Sequence, residues 1–128
     1  MELLLDTHSL LWFIYGSPKL SEGARELIEN TDNKAFVSIA SLWEMAIKIS
    51  KGNLSIDFPL EHFISDQVQA NGITLLEIKP PHLAKVIEIP FHHKDPFDRL
   101  IIAQSMVEDF PVVGNDGRFD DYEIQRLW

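Results

Sequence analysis

Short runs of purely apolar residues constrain the fold of this chain more than any other feature of its sequence. Such runs cover residues 3–5, 35–37 and 112–113. Two further strand candidates, at 73–78 and 124–127, include polar residues. Runs of this length with no polar position are typical of strands buried on both faces of a parallel sheet. The sequence therefore predicts four to five short strands.

Helical patterns separate the predicted strands along the chain. Ser21 is a typical N-cap, Pro59 suits a helix start, and Asp95-Pro96 is a strong one. The predicted helices cover residues 8–15, a segment from Ser21, a segment from Ser38 or Ser41 to Lys51, and 59–71, 81–87 and 95–108. Alternating strands and helices predict a three-layer α/β/α fold around a central, mainly parallel sheet, formed as one domain by residues 1–128.

Composition narrows the function classes. The formal net charge of −9 argues against broad electrostatic binding of nucleic acid, although an acidic pocket can recruit divalent cations that present positive charge to a phosphate. The chain contains no cysteine, so disulfides and thiolate–zinc sites are excluded. With no apolar run of membrane-spanning length and no signal-peptide pattern at Met1, we expect a cytoplasmic protein without a membrane partner.

Four acidic residues occupy the positions where ligands collect in such folds, beyond the carboxyl ends of the strands. Asp6 follows the first strand, Glu44 lies on the helix after the second, Asp98 begins a long helix, and Asp116 follows Val112–Val113. Clustered carboxylates repel one another unless a cation lies among them. Their hard oxygen ligands suit Mg²⁺ or Mn²⁺, ions that support phosphodiester hydrolysis.

Each of these acids also has an ordinary structural explanation. Asp6 can cap the helix that follows it, and Asp98 lies in a first helical turn, where the helix dipole favours an anion. Asp116 stands in Gly114-Asn-Asp-Gly117, which is typical of a surface turn. For Asp95, helix capping is the favoured explanation.

The role of Glu44 depends on where its helix begins. If Ser41 is the N-cap, Ser41-x-x-Glu44 forms a capping box and occupies the carboxylate. If Ser38 is the N-cap, Glu44 lies in the second turn, on the same face as Lys48, and is free for a site. The pattern leaves both starts open.

Several segments resemble the successive motifs of PIN domains, and in particular the VapC-like toxins of bacterial toxin–antitoxin pairs. The similarity covers essentially the whole chain. The segments are Leu-Leu-Leu-Asp-Thr-His at 3–8, Ser38-x-x-Ser41-x-x-Glu44, His93-Lys-Asp-Pro-Phe-Asp-Arg-Leu-Ile-Ile-Ala-Gln104, and Val-Val-Gly-Asn-Asp at 112–116.

The resemblance implies a Mg²⁺-dependent endoribonuclease that acts as a toxin, forms a homodimer and is inhibited by a small antitoxin docked over the site. It implies that Asp6, Glu44, Asp98 and Asp116 are the catalytic and metal-binding acids, with Thr7 and Ser38 as supporting hydroxyls beside them. One position departs from the family: many relatives carry Thr or Ser where this chain has Gly114, and Asn115 is the neighbour that could compensate for the missing hydroxyl.

Other polar and aromatic residues are assigned by residue type and position. Adjacent side chains on an extended segment point to opposite sides, so we expect a structural or surface role for His92 and His93. The predicted phosphate contacts are Lys48, Lys51, Lys94, Arg99 and Arg118. The aromatic residues expected in the core or in a dimer contact are Trp12, Phe13, Trp43, Phe63 and Phe97.

Two other functions remain open from sequence. An aspartate-nucleophile phosphatase of the dehalogenase-like type would use Asp6, but such enzymes typically carry a second Asp two residues later, where this chain has His8. A non-catalytic binding module of the same fold is the other alternative, and the complete set of four acids argues against it.

Overall fold

The computed structural model describes all 128 residues and has a central sheet of five parallel strands. The strands are β1 (Glu2–Leu5), β2 (Lys34–Ser38), β3 (Thr74–Leu76), β4 (Val112–Val113) and β5 (Arg126–Leu127). Their order across the sheet is β3-β2-β1-β4-β5. All four pairings are parallel, so the predicted α/β class is confirmed and no antiparallel strand is present.

Six α-helices connect the strands. They are α1 (Thr7–Ile14), α2 (Glu22–Glu29), α3 (Ile39–Ser50), α4 (Leu60–His62), α5 (Pro80–Glu88) and α6 (Pro96–Glu108). A 3-10 turn, Gly117–Asp121, lies between β4 and β5. None of the helices combines the length and apolar character needed to cross a bilayer.

The two faces of the sheet belong to separate hydrophobic clusters, which explains the purely apolar β1. Leu3 and Leu5 pack into a cluster of 13 buried residues that includes side chains from α1, α2 and α3. Leu4 points to the other face and joins a cluster of 8 buried residues that includes Ile101 and Ile102 of α6. Consecutive residues of a strand point to opposite faces, so burial on both faces removes polar positions. The predicted three-layer arrangement is therefore confirmed.

The segment predicted as one helix over 59–71 is helical but irregular. The α-helical turn of α4 continues into a π-helical segment, Phe63–Val68, and a 3-10 turn, Gln69–Asn71. It ends at Gly72, whose φ of 76° lies in the left-handed region that glycine adopts without steric penalty.

Candidate active site

The carboxyl ends of the parallel strands and the starts of α1, α3 and α6 surround one polar cleft of about 240 Å³. The cleft contains all four acids predicted from sequence, and no hydrophobic side chain lines it. Its lining residues are Asp6, Thr7, His8, Glu44, Lys48, His93, Asp95, Asp98, Asp116 and Arg118. Five carboxylates thus face a small volume that only one lysine and one arginine line.

Asp6 caps α1 and faces the cleft at the same time. Its Oδ1 accepts a hydrogen bond of 2.8 Å from the backbone N–H of Ser9, while its Oδ2 points toward the backbone of Gly114. The side chain is buried, and burial raises the pKa of its carboxyl above the ordinary value. Since a carboxylate has two oxygens, the capping role leaves one of them for the cleft.

Glu44 lies in the second turn of α3, because the helix begins at Ile39. The Ser38 side chain caps it by accepting a hydrogen bond from the backbone N–H of Ala40. The alternative capping box at Ser41 is thereby excluded. Ser38 itself is buried and acts as this cap.

Both oxygens of Glu44 are held by neighbouring side chains. Thr7 Oγ1 donates a hydrogen bond of 2.7 Å to Glu44 Oε1 and lies 2.9 Å from Ser41 Oγ. Lys48 Nζ lies 2.9 Å from Glu44 Oε2, one turn further along the helix. The carboxylate is therefore oriented before any ligand arrives.

Asp98 is a second acid of the cleft whose pKa is raised. It lies in the first turn of α6, where Asp95 caps the helix by accepting a hydrogen bond from the Asp98 backbone N–H. Burial, followed by the charges of Asp95, Glu44, Asp6 and Asp116, raises the pKa of Asp98 to about 7. A bound cation would reduce the repulsion between these carboxylates and lower the pKa of Asp98.

Asp116 is the fourth acid, and its charge is stabilised instead. Its side chain caps the 3-10 turn by accepting a hydrogen bond from the Arg118 backbone N–H, and the Arg118 guanidinium contacts both carboxylate oxygens. These bonds, with one from His93, lower the pKa of Asp116 to about 2. Two neighbouring carboxyls thus have pKa values shifted in opposite directions.

His93 is a residue of the site that sequence reasoning missed. The expected structural or surface role holds for His92, which is exposed and packs against Tyr122 at 5.2 Å between ring centroids. His93 instead is buried, and its Nε2 lies 3.0 Å from Asp98 Oδ2 and 3.2 Å from Asp116 Oδ2. Its position two residues before the Asp95 cap is the feature that could have indicated it.

Gly114, the residue that departs from the family pattern, adjoins the Asp6 carboxylate. A Cβ atom at position 114 would lie 3.1 Å from Asp6 Cγ and 2.6 Å from Asp6 Oδ2, and the second distance is shorter than Cβ atoms approach. The Asp6 carboxylate thus occupies the space that a side chain would need. Asn115 is exposed and makes no hydrogen bond to the acids, so it does not replace the missing hydroxyl.

The structure separates the five predicted phosphate contacts. Lys48 and Arg118 line the cleft, whereas Lys51 and Lys94 are exposed outside its lining. Lys48 and Arg118 are each paired with an acid of the cleft, at 2.9 Å in both cases. Of the five residues, these two are therefore the ones that line the cleft.

Arg99 is a correction to the sequence prediction. Its side chain is buried, and the guanidinium donates hydrogen bonds of 2.8, 3.1 and 3.3 Å to the backbone carbonyls of Pro90, Val86 and Ile89. It also lies 3.9 Å from the ring centroid of Phe91. Because both terminal nitrogens of its guanidinium bond the end of α5 and the residues after it, Arg99 has a structural role and is withdrawn as a phosphate contact.

The aromatic residues also divide by position. Phe63 is fully buried, and Trp12 and Phe13 pack partly buried against the same cluster. Trp43 remains 54% exposed and meets Phe97 edge to face, with ring centroids 5.0 Å apart. This last pair lies on the surface, immediately next in sequence to Glu44 and Asp98.

The donor set of the cleft fits a divalent cation. Carboxylate oxygens of several acids face one volume, and burial together with the charges of neighbouring acids raises the pKa of Asp98. One ring nitrogen of His93 and one carboxylate oxygen each of Asp98 and Asp116 lie within 4.8 Å of one another. The carboxylate oxygens are hard donors, which Mg²⁺ and Mn²⁺ prefer.

Comparisons with known proteins identify relatives of the chain by sequence and by fold. The family profile for the PIN domain matches residues 3–125. The chain is 27% identical over 125 residues to Ribonuclease VapC22 of Mycobacterium tuberculosis, covering 97% of this chain and 94% of that protein.

Solved structures share the fold at lower identity. VapBC2 from Rickettsia felis, bound to a DNA fragment from its promoter, superimposes with a TM-score of 0.72 at 15% identity and covers all of both chains. A toxin–antitoxin complex from Klebsiella pneumoniae has a TM-score of 0.60 at 12% identity, covering 89% of this chain and 86% of that one. With a profile match over nearly its whole length and the acids of its motifs in one cleft, the chain belongs to the PIN domain family.

Proposed function

We propose that this protein is a Mg²⁺-dependent endoribonuclease that hydrolyses RNA phosphodiester bonds, and that it is the toxin of a toxin–antitoxin pair. The observation that carries the proposal is the convergence of Asp6, Glu44, Asp98 and Asp116 in one cleft without apolar lining. The name of its relative, a ribonuclease, supports RNA as the substrate.

In this proposal the four acids hold the metal ion or ions. When bound, the metal supplies positive charge for the scissile phosphate and lowers the barrier to attack by water. Thr7 and Lys48 orient the carboxylate of Glu44. Lys48 and Arg118 provide the cations that attract the RNA backbone to an otherwise acidic protein.

Cleavage of a structured RNA by the purified protein tests the proposal. We expect cleavage with Mg²⁺ or Mn²⁺, none with EDTA, and a loss of at least about a hundredfold for Asp98→Asn, because transition-state charge stabilisation is worth several kcal/mol. Asp57→Asn, which changes an exposed acid away from the cleft, is the matched control. Cleavage that persists in EDTA, or that Asp98→Asn leaves intact, would contradict the metal site.

The proposed toxin acts on cellular RNA, so the proposal places it in the cytoplasm. Induced expression of the chain is expected to arrest growth, and expression of Asp98→Asn is not. Sequencing of the RNA 5′ ends after induction identifies the cleaved RNA. Growth arrest without new RNA ends would contradict the assignment as a ribonuclease toxin.

The proposed antitoxin must match the charge of the cleft. Five carboxylates line it, so a protein that covers it has to present basic side chains. Complexes with antitoxins among the structural relatives support such a partner. We expect a co-expressed antitoxin to inhibit RNA cleavage, and the inhibition to weaken as ionic strength rises.

The proposed homodimer uses apolar residues that the single chain leaves exposed. Ile87 is 85% exposed, and Leu83, one turn earlier on α5, is exposed on the same face. Phe91, shortly after the helix, is 80% exposed. Light scattering is expected to report twice the monomer mass for the wild type, and the monomer mass for Ile87→Asp.

A further inference from the structure

We propose that His93 is a positioning residue that holds Asp98 and Asp116 through a hydrogen bond donated by its Nε2–H, and that it does not ligate the metal. The inference rests on the proposed metal site. The Nε2 atom lies 3.0 Å from Asp98 Oδ2 and 3.2 Å from Asp116 Oδ2. At these distances Nε2 could either share a metal with the two acids or donate a hydrogen bond to them. The hydrogen bond made by the other ring nitrogen, Nδ1, decides between these two roles.

The backbone determines which ring nitrogen of His93 carries the proton. The backbone N–H of Asp95 lies 3.1 Å from His93 Nδ1. An amide N–H can only donate, so Nδ1 must be the acceptor and carries no hydrogen. A neutral imidazole has one N–H, and it is therefore on Nε2, facing the two carboxylates.

Because Nε2 carries the proton, it has no free lone pair with which to bind a metal. For Nε2 to ligate a cation, the proton would have to move to Nδ1, where it would meet the Asp95 N–H donor. Asp95 cannot turn away easily, because its own side chain caps α6. A hydrogen bond from Nε2–H to the carboxylates is the arrangement that satisfies both sides of the ring.

Several contacts hold the ring in place. The His93 side chain is 1% exposed, and its backbone N–H donates a hydrogen bond of 2.8 Å to Tyr122 Oη. Tyr122 in turn donates to the Pro90 carbonyl at 2.8 Å, and Phe119 packs against the imidazole with centroids 6.1 Å apart. A donor held this rigidly keeps two mutually repelling carboxylates together before a cation arrives.

Two substitutions separate the two functions of the ring. In His93→Asn the side-chain oxygen can still accept from the Asp95 N–H, as in an Asx-turn, but the amide is too short to reach the acids. In His93→Gln the longer amide N–H₂ can replace the Nε2 donor. His92→Asn, at the exposed neighbour, is the control.

Calorimetric titration with Mn²⁺ measures the effect on the site without reference to activity. We expect His93→Asn to lower Mn²⁺ affinity about 10- to 100-fold, as is common for groups that orient metal ligands. His93→Gln should recover affinity to within about threefold of the wild type. Equal affinity in the wild type and both variants would overturn the role of His93. An absence of Mn²⁺ binding by the wild type would overturn the proposed metal site itself.

Nitrogen NMR of ¹⁵N-histidine-labelled protein tests the protonation directly. We expect the His93 resonances of a neutral ring protonated at Nε2, both in metal-free protein and with saturating Mg²⁺. Loss of the Nε2 proton on addition of Mg²⁺ would show direct ligation and overturn the proposal. Because the metal-free spectrum needs no cation, this measurement separates the state of His93 from the success of the metal assignment.

Discussion

The Asp6 carboxylate lies where a side chain at Gly114 would have to be, with 2.6 Å between Asp6 Oδ2 and a Cβ built at position 114. We therefore expect Gly114→Ala to displace the carboxylate from the cleft. The Ser9 N–H holds the other oxygen of Asp6, so the displacement also weakens the cap of α1. The expected result is a loss of Mn²⁺ affinity of about tenfold or more, measured by calorimetry.

Gly117→Ala is the matched control for this substitution, since a Cβ there has no heavy atom within 4 Å. It is expected to leave Mn²⁺ affinity unchanged. Combining Gly114→Ala with Asp6→Asn gives a further check, because two changes acting through one carboxylate are not additive. If the effects of the two substitutions on Mn²⁺ affinity add fully, the contact between position 114 and Asp6 is not the cause of the loss.

Asp98→Asn is expected to stabilise the metal-free protein above neutral pH. The pKa of Asp98 is about 7 in the folded chain, against an ordinary value of 3.8. Between pH 3.8 and pH 7 the folded state therefore binds more protons than the unfolded state, and the stability of the protein falls as pH rises. This difference in pKa lowers the free energy of unfolding by at most about 4 kcal/mol above pH 7. Urea unfolding in EDTA should give a gain of roughly 1 to 4 kcal/mol at pH 8.

The gain should disappear near pH 3.5, where the carboxyl is protonated in both states. Asp57→Asn, an exposed acid, controls for the loss of net charge. Saturating Mg²⁺ should reverse the order of stability, because the ion binds only the intact site. A gain that is independent of pH would refute the electrostatic origin.

Thr7→Val removes the hydroxyl that donates to Glu44 Oε1 at 2.7 Å and meets Ser41 Oγ at 2.9 Å. The buried oxygens lose a partner, and we expect a loss of stability of about 1 to 3 kcal/mol. RNA cleavage should fall as well, because Glu44 is no longer oriented. Thr7→Ser keeps the hydroxyl and should restore most of both, as measured by urea unfolding and initial cleavage rates.

Lys48→Ala and Arg118→Ala are expected to weaken RNA binding mainly through the phosphates. Each phosphate contact with single-stranded RNA adds about 0.7 to the slope of log affinity against log salt. Removal of either cation should reduce the slope by about that amount, measured with Asp98→Asn protein to prevent cleavage. Lys34→Ala changes an exposed lysine at the opposite end of the strands and should leave the slope unchanged.

Arg99→Lys keeps the charge but loses the planar fork that bonds the carbonyls of Pro90, Val86 and Ile89. We expect a loss of stability of about 2 to 4 kcal/mol, because buried carbonyls are left without donors. Arg25→Lys, at a partly exposed arginine, should change stability by less than about 0.5 kcal/mol. If Arg99→Lys leaves stability unchanged but weakens RNA binding, Arg99 contacts a phosphate after all.

The sequence by itself was sufficient to predict the layers of the fold and the order of its elements. Leu3–Leu5 is apolar at every position, and that alone requires cover on both faces of a strand. Asp95-Pro96 specifies a helix start through local chemistry, and Asp95 does cap α6. These features depend on neighbours along the chain, which is why pattern and periodicity report them.

Tertiary structure alone decided which polar residues face the cleft. Arg99 follows Asp98 directly yet is buried against three carbonyls, whereas His93, five residues before Asp98, contacts its carboxylate. The space that excludes a side chain at Gly114 is occupied by Asp6, more than a hundred residues away in the chain. Such relationships depend on packing between distant segments and on side-chain direction, neither of which is encoded in the spacing of residues along the chain.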